Sequence, residues 1–256
     1  MAIGISETAT SEEAHAQVEA IRSVLRRSLS PTDLQIDHLG VEADGAIVIA
    51  GQAANLATKK RALRLAAFTS GALGIVDRLH VRPAVPMDDR QIAIQLTERF
   101  ALDPRFKDVG IFEDRDPSPL TENRVAVAGA SPDALGRLTI EVVDGVVVLD
   151  GTVPSLVRKR LAGAIAWRIP GVRDVINGLA VEPPETDGPD ELEEAIREVL
   201  DGHPLFDDTQ VKAGVYADIV RLTGLVHSEE ARQAAEDEVW RVLGVDEVIN
   251  KIETTA

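Results

Sequence analysis

The sequence of 256 residues predicts an α+β fold in which one small αββαβ domain occurs three times in tandem. In each copy a glycine closes an alternating apolar stretch, an Asn or Ser follows four residues later, and a second glycine follows twenty residues later. Apolar alternation then returns, and no gap is needed across these spans. The repeated positions are Gly51, Gly151 and Gly224; Asn55, Ser155 and Ser228; and Gly71, Gly171 and Gly244.

Each copy begins with a helix and a hairpin. In the third copy apolar residues recur at helical spacing over 192–200, and alternation over 211–215 and 219–222 predicts two strands that form a hairpin. The turns of the first two copies, Asp44-Gly45 and Asp144-Gly145, favour the positive φ angles of a tight hairpin. Because the third copy has Ala217-Asp218 instead, its turn is predicted to be looser.

The second helix starts at the Asn or Ser of the pattern, whose side chain can cap free N–H groups of the first turn. Gly71, Gly171 and Gly244 stand where a helix end favours a left-handed residue, and a short strand follows. Each domain therefore places two helices on one face of a three-stranded mixed sheet. The predicted boundaries are 12–83, 88–183 and 187–256.

The second copy contains an insertion at about 106–137. Since a structureless loop of that length is unusual in a compact domain, we expect an extra hairpin, with Val125 and Val127 pairing against Val109, Ile111 or a neighbouring copy. The linkers are Pro-rich, at 83–86 and at 183–189. Because the second is longer, the third copy is expected to be the most independently mobile.

Composition excludes several classes of function. A net charge of −16 disfavours nucleic acid as the partner, and the absence of cysteine excludes disulfides and thiolate sites. The charge is graded, with nine Lys/Arg against eight Asp/Glu in 12–83 but six against eighteen in 187–256. No segment is typical of a signal peptide or a transmembrane helix, so a cytoplasmic protein is expected.

The second copy carries a family resemblance. Its stretches 142–153, Arg158-Lys159-Arg160 and 171–179 combine a strand with an Asp-Gly turn, a strand ending in Gly, a Ser cap, a basic helix and a Val-Ile-Asn-x-Leu strand. This combination resembles the BON domain of bacterial osmotically inducible and nodulation proteins. The resemblance is good in copy three and weaker in copy one, where Gly71-Ala72 and Asp77 replace Gly-Val and Asn. The resemblance implies a non-catalytic binding module, associated with osmotic and envelope stress, anionic phospholipids and, in one branch, potassium.

Motifs for catalysis are absent from the sequence. The five histidines fall at unrelated repeat positions without metal-ligand spacing, and Glu113–Asp116 lacks the glycine and the distal glutamate of a calcium loop. We therefore expect no enzyme, and no cofactor apart from a potassium ion; metal-binding residues are not identifiable. Trp167 and Trp240 share a repeat position and are interpreted as packing residues rather than aromatic anchors.

The candidate binding residues lie on the second helices. Copies one and two carry bases there, whereas copy three carries Glu229-Glu230 and Glu236-Asp237-Glu238. One interpretation is a solvated face; another is that basic and acidic helices of different copies meet, within one chain or head to tail between chains. The bases are Lys59, Lys60, Arg61 and Arg64, and Arg158, Lys159 and Arg160.

Three functions are weighed. The first is a cytoplasmic three-domain binding or scaffold protein with a protein partner or self-association. The second is a potassium or other cation sensor, in which backbone carbonyls hold the ion and leave no sequence signature. The third is peripheral binding of anionic phospholipid through the basic second helices, against which the overall charge counts.

Overall fold

The computed structural model describes residues 11–42, 44–70, 74–114, 124–201, 203–207 and 209–255. The chain divides into two compact units, Met1–Arg82 and Pro83–Ala256. The first unit contains the first predicted domain. The second contains both other domains, so the prediction of an independent third copy is wrong.

The first unit has the predicted αββαβ order. Its sheet has the strand order β1-β2-β3, with β1 antiparallel and β3 parallel to the central strand. Buried Ile, Leu, Val and Ala side chains, among them Ile21, Ile49 and Leu79, form its core. The elements are α1 (Ser11–Ser28), β1 (Leu34–Val41), β2 (Ile47–Ala53), α2 (Leu56–Ser70) and β3 (Ile75–Val81).

The second repeat has the same order, enlarged by the insertion. After α3 and a 3-10 turn (Pro104–Phe106), β4 and β5 pair antiparallel, as predicted for the insertion. The predicted register is wrong, because Val125 lies opposite Glu113 and not opposite Val109 or Ile111. Unexpectedly, β4 also pairs parallel with β6, so the sheet has six strands in the order β5-β4-β6-β7-β8, with β9 also beside β7. The elements are α3 (Asp89–Leu102), β4 (Val109–Asp114), β5 (Arg124–Ala128), β6 (Gly136–Val143), β7 (Val146–Val153), α4 (Leu156–Trp167), β8 (Asp174–Asn177) and β9 (Ala180–Val181).

The third repeat consists of the five elements of the αββαβ pattern. Its sheet has the order β10-β11-β12, again with an antiparallel and a parallel pair. Its first helix α5 has a continuous buried stripe of Leu192, Ala195, Ile196, Val199 and Leu200, as the spacing predicts. The elements are α5 (Pro189–Leu200), β10 (Val211–Tyr216), β11 (Ile219–Val226), α6 (Glu229–Trp240) and β12 (Glu247–Thr254).

The hairpin turns reverse one prediction. In repeat 3, Tyr216 pairs directly with Ile219, so the turn is a tight two-residue one, and Ala217 takes a positive φ of 50° without glycine. In repeat 1 the last pair before the turn is Val41 with Ile47, which leaves a wider loop. The prediction of a looser turn in copy three is therefore wrong.

The first glycine of the pattern has the same role in all three repeats. Gly51, Gly151 and Gly224 have φ angles of 150°, 118° and 143°, and a Cβ at each would overlap the carbonyl oxygen of the residue before its strand partner. This close approach of two backbones excludes every side chain. The equivalence of the three repeats is therefore one of backbone geometry as well as of sequence.

The helix caps follow the prediction, and the second glycines follow it in part. The side chains of Asn55, Ser155 and Ser228 each accept a hydrogen bond from the backbone N–H three residues later, at 2.8, 3.2 and 3.1 Å. Gly244 has the predicted positive φ, of 95°. Gly171 does not: glycine is needed there because Met87 and Ile92 pack closely against it. Gly71 lies outside the described residues.

Candidate binding surfaces

The bases predicted on α2 have different surroundings. Lys59 is only 4% exposed, and its Nζ lies 3.0 Å from Oδ2 of Asp77 on β3. Lys60 and Arg64 are half-buried, and the Arg64 guanidinium stacks over the Phe68 ring, 5.7 Å from its centroid. Arg61 is exposed. The predicted cluster is therefore spread between the interior and the surface of the first unit.

The bases predicted on α4 also make internal contacts. Arg158 pairs with Asp108 at 2.6 Å, which joins α4 to the start of the insertion, and Lys159 is half-buried. Arg160 is only 4% exposed; its Nη2 lies 2.6 Å from Asp187, and its Nε donates to the backbone oxygen of Leu243. Arg160 therefore joins repeat 2 to the linker and to repeat 3.

A second set of charges completes the junction between repeats 2 and 3. Arg168, just after α4, donates to Oε2 of Glu238 on α6 at 2.8 Å and to the backbone oxygen of Val199 at 2.9 Å. Glu238 is only 4% exposed and also pairs with Arg241. A base next to α4 thus pairs with an acidic residue of α6 within one chain, but that base is Arg168 and not one of the predicted bases of α4.

The junction also holds the proline linker. Glu185 accepts a hydrogen bond from the backbone N–H of Leu156 at 2.8 Å, so the first turn of α4 is capped by the linker as well as by Ser155. Asp187, two residues later, is the partner of Arg160. The N-terminus of α4, where free N–H groups favour an anion, is therefore occupied by a carboxylate of the chain itself.

Burial at the junction lowers the pKa of His203, and the nearby Glu238 carboxylate opposes this effect. The imidazole stacks on Phe206 with ring centroids 4.4 Å apart. Its Nε2 lies 4.0 Å from Glu238 Oε1, while Arg168 and Arg241 disfavour its protonation. The neutral imidazole is therefore the form that packs against this charge network.

A cavity of about 750 Å³ lies at the same junction, between α3, α4 and α5. Its charged walls are largely neutralised by pairing: Arg105 forms 2.6 and 2.9 Å hydrogen bonds to Asp103 and also donates to the Glu198 backbone oxygen. These contacts hold the pKa of Asp103 below its ordinary value, although burial works in the opposite direction. These contacts tie the 3-10 turn to α5.

The outer face of the repeat 3 sheet differs from α2 and α4, because its bases form no ion pair with the described residues. Lys212, Thr223 and Lys251 form one cross-strand row, and Gly214, Arg221 and Ile249 form the next. The three bases form no ion pair with any residue that the structure describes. They are half of the six Lys/Arg of a repeat with eighteen Asp/Glu.

Exposed apolar side chains accompany these bases. Tyr216 is 83% exposed at the end of β10, Leu225 is 50% exposed and Ile249 is 37% exposed. Gly214 has no neighbour within reach of a Cβ, so the middle of the face is flat and open. We call this surface the basic sheet face and define it by Lys212, Tyr216, Arg221, Leu225, Ile249 and Lys251. Two carboxylates, Glu247 and Glu253, lie on the same face of β12, next to Ile219 and Leu225.

The opposite side of repeat 3 is acidic. The solvent-facing positions of α5 and α6 carry mainly carboxylates, and two of these pair with neighbouring arginines on the same helix, Glu194 with Arg197 and Glu229 with Arg232. Repeat 3 therefore has a sheet face and a helix layer of opposite charge. The acidic helix layer comprises Asp190, Glu193, Glu194, Glu229 and Glu230.

Two features, a group of metal ligands and a membrane-spanning helix, are absent from the described residues. Over the part of the chain that the structure describes, no group of three or more His, Asp or Glu side chains could hold a metal ion. None of the described helices is both long and apolar enough to cross a membrane.

Comparison with known proteins identifies the class of protein. The BON domain family model matches residues 17–83, 124–183 and 189–256, which is more than half of the chain. The chain belongs to the BON domain family, with three copies, as the sequence predicts. BON domains are binding domains without catalytic activity. No curated protein matches the chain at a significant level.

Two similar solved structures are of CdsD, a structural protein of the type III secretion system of Chlamydia trachomatis. One, of its C-terminal domain, is 13% identical, with 93% of this chain and 97% of that chain covered and a TM-score of 0.24. The other is 14% identical, with 94% and 92% covered and a TM-score of 0.22. Neither likeness bears on function.

The sequence reveals the basic helices more readily than the basic sheet face. Adjacent bases such as Arg158-Lys159-Arg160 are conspicuous, but helical geometry directs neighbouring residues to different sides, so some of them turn inward. The bases of the sheet face are single residues on three strands. The one available signal was strand alternation, which assigns Lys212, Arg221 and Lys251 to the outer face once the register is known.

Proposed function

We propose that this protein is a non-catalytic binding protein whose basic sheet face recognises an acidic protein surface. The observation that carries the proposal is a set of three bases, Lys212, Arg221 and Lys251, on one face of a strongly acidic repeat. None of the three forms an ion pair with a residue in the described part of the chain. Internal ion pairs use several of the other bases, whereas these three remain available. Exposed Tyr216 and Ile249 add contact area of the kind that interfaces favour.

The junction between repeats 2 and 3 supports a scaffold role. Arg160, Arg168 and Glu238 join the two repeats through ion pairs in which Arg160 and Glu238 are almost completely buried. A surface carried by such a unit is held in place before a partner arrives, which reduces the entropic cost of binding. The link to osmotic or envelope stress is an expectation from the family resemblance.

The acidic helix layer of a second copy provides a defined test partner. A contact between the basic sheet face of one copy and the acidic helix layer of the next is heterologous, so it extends from copy to copy. We expect the mass measured by light scattering to increase with protein concentration at about 20 mM salt and to approach the monomer value at about 300 mM. Arg221→Glu/Lys251→Glu should abolish the increase.

The matched control is Arg90→Glu/Arg99→Glu, which makes the same charge change at two exposed arginines of α3. This variant should still associate. A monomer mass at every concentration and salt level, or equal loss in both variants, would count against recognition through the basic sheet face.

An anionic phospholipid surface is the second candidate, favoured by the exposure of Tyr216 next to the bases. Co-sedimentation with vesicles containing phosphatidylserine should then be salt-sensitive and lost in Arg221→Glu/Lys251→Glu. The lipid prediction made for the second helices is tested separately by Lys60→Glu/Arg61→Glu. Potassium sensing stays a prediction, for which potassium but not sodium should raise the melting temperature.

A further inference from the structure

Strand β10 is an edge whose backbone is open. Among the described strands it pairs only with β11. Leu225 N–H donates to the Gln210 oxygen at 3.0 Å, so these two residues are a hydrogen-bonded pair. Because such pairs alternate along an antiparallel ladder, Lys212 and Gly214 are the next residues of β10 that bond to β11. The backbone N–H and C=O groups of Val211 and Ala213 therefore point to the open edge.

The corresponding edge of repeat 2 is occupied. Leu138 on β6 pairs with Gly151 as Val211 pairs with Gly224, which makes β6 the counterpart of β10. Strand β4, from the insertion, lies parallel beside β6, with Ile111 next to Leu138 and Glu113 next to Ile140. The chain itself thus shows that this edge of the fold accepts an extended segment.

The added strand in repeat 2 buries alternate side chains. Val109 is fully buried and Ile111 is only 1% exposed, in the layer between the sheet and α3. Helix α3 contacts β4, and its buried residues include Ala93 and Thr97, which are 7% and 5% exposed. An extended segment is therefore held by backbone pairing on one side and by side-chain burial on the other.

Repeat 3 has an open groove at this position. A cavity of about 450 Å³ lies between α5 and β10, lined by Glu193, Arg197, Leu200, Val211 and Ala213 among others. Counted from the helix start, Glu193 and Arg197 stand where α3 has Ala93 and Thr97. The groove thus has an apolar floor and a charged helical wall. Ala213 replaces the larger Ile140, which leaves additional room.

We propose that the β10 edge binds an extended segment of a partner protein, aligned parallel to β10 as β4 is to β6. The segment carries an aliphatic side chain that packs on Leu200 and Val211 and, two residues later, a basic side chain that reaches Glu193. Glu193 forms no ion pair with described residues, and the excess of acidic residues in repeat 3 attracts a basic segment.

A synthetic peptide tests the edge directly. The probe is the labelled, end-blocked peptide KDVGIFKK, which copies residues 107–114 with lysine in place of Glu113 and Asp114. Added to the full chain, it should bind with a dissociation constant of about 10–100 μM by fluorescence anisotropy. In β4 the backbone groups of Gly110 and Phe112 face β6, because in a parallel pair a residue bonds to the two neighbours of its partner. The same peptide N-methylated at the glycine and phenylalanine nitrogens therefore cannot donate to β10 and should bind at least about tenfold more weakly.

Two protein variants separate backbone pairing from charge. Ala213→Pro removes an N–H that points to the edge but leaves the pairing with β11, and it should reduce affinity at least about tenfold. Glu193→Lys should do the same through charge reversal, whereas the neighbouring Glu194→Lys should change affinity less than about twofold. Arg221→Glu/Lys251→Glu, which alters the basic sheet face, should leave peptide binding intact.

Amide hydrogen exchange locates the peptide. Binding at the edge should slow exchange at Val211, Ala213 and Val215 several-fold relative to the free protein. No binding at 1 mM peptide, binding without protection of these amides, or equal affinity of the N-methylated peptide would each overturn the proposal. If Ala213→Pro does not fold, the difference in peptide affinity between Glu193→Lys and Glu194→Lys tests the proposal instead.

Discussion

Lys59, which is buried, and Asp77, which is exposed, form an ion pair that replaces a hydrogen bond found in the other two repeats. In those repeats Asn177 and Asn250, at the same position as Asp77, donate from the side-chain amide to a backbone oxygen of the second helix at 2.7 and 3.2 Å. Asp77 has no such donor, and the Lys59 ammonium lies 3.0 Å from its carboxylate instead. The weaker family signature of repeat 1 thus has a structural compensation.

A double-mutant cycle tests this compensation. Asp77→Asn alone should destabilise the protein by about 2 kcal/mol, because the buried Lys59 loses its carboxylate partner. Adding Lys59→Ala should recover part of the loss, since the introduced asparagine amide could then donate to the helix as Asn177 does. Urea denaturation of the single and double variants measures the coupling; strict additivity would contradict the account.

The pair Arg168–Glu238 is expected to be important for the stability of the second unit. Arg168→Ala should lower the free energy of unfolding by about 2–3 kcal/mol, because Glu238 is buried and Arg168 also satisfies the Val199 oxygen. Arg197→Ala is the control, since that exposed arginine pairs with Glu194 at 3.8 Å; its effect should stay below about 0.5 kcal/mol. Comparable losses for the two variants would refute a special role for the junction.

His203 should make stability depend on pH near neutrality. Its pKa in the folded protein is lowered from 6.5 by burial, so the unfolded chain binds the proton more readily. This contribution to stability is complete above pH 6.5 and is lost as the pH falls from there through the lowered pKa. His203→Gln should flatten the pH dependence of the urea midpoint between about pH 7 and 5, and an unchanged slope would argue against this role.

Glycines 224 and 214 offer a matched pair within one repeat. Gly224→Ala should destabilise by about 2–3 kcal/mol or more, because φ is 143° and the new Cβ would overlap the Gln210 carbonyl oxygen. Gly214→Ala has open space and no positive φ, so a change of about 0.5 kcal/mol or less is expected. Thermal unfolding of both variants checks the contrast, and similar melting temperatures would show that the close approach is not needed.

Local signals in the sequence were sufficient for the elements of each repeat. Asn55, Ser155 and Ser228 cap helices because capping depends only on a side chain and the next three residues. The insertion hairpin follows from alternation over 109–111 and 125–127. Family membership and the αββαβ order follow from the same local patterns.

Relations between distant parts of the chain were harder to predict. The parallel pairing of β4 with β6 depends on which sheet edge is free, and periodicity alone does not contain that information. The prediction of a mobile third repeat relied on linker composition and overlooked the carboxylates of Glu185 and Asp187, which bond to α4. Whether Arg160 faces solvent or a neighbouring repeat depends on packing that its own helix does not determine.

The ion pairs at the junction require that repeat 2, and not repeat 1, precedes repeat 3 in the chain. Repeat 1 has Lys60 and Phe68 at the positions of Arg160 and Arg168, so it lacks the two guanidinium groups that bind repeat 3. A recombinant chain in which the first two repeats exchanged places would keep three intact domains but lose their coupling. A few charged residues thus determine which repeat can stand next to repeat 3 in the chain.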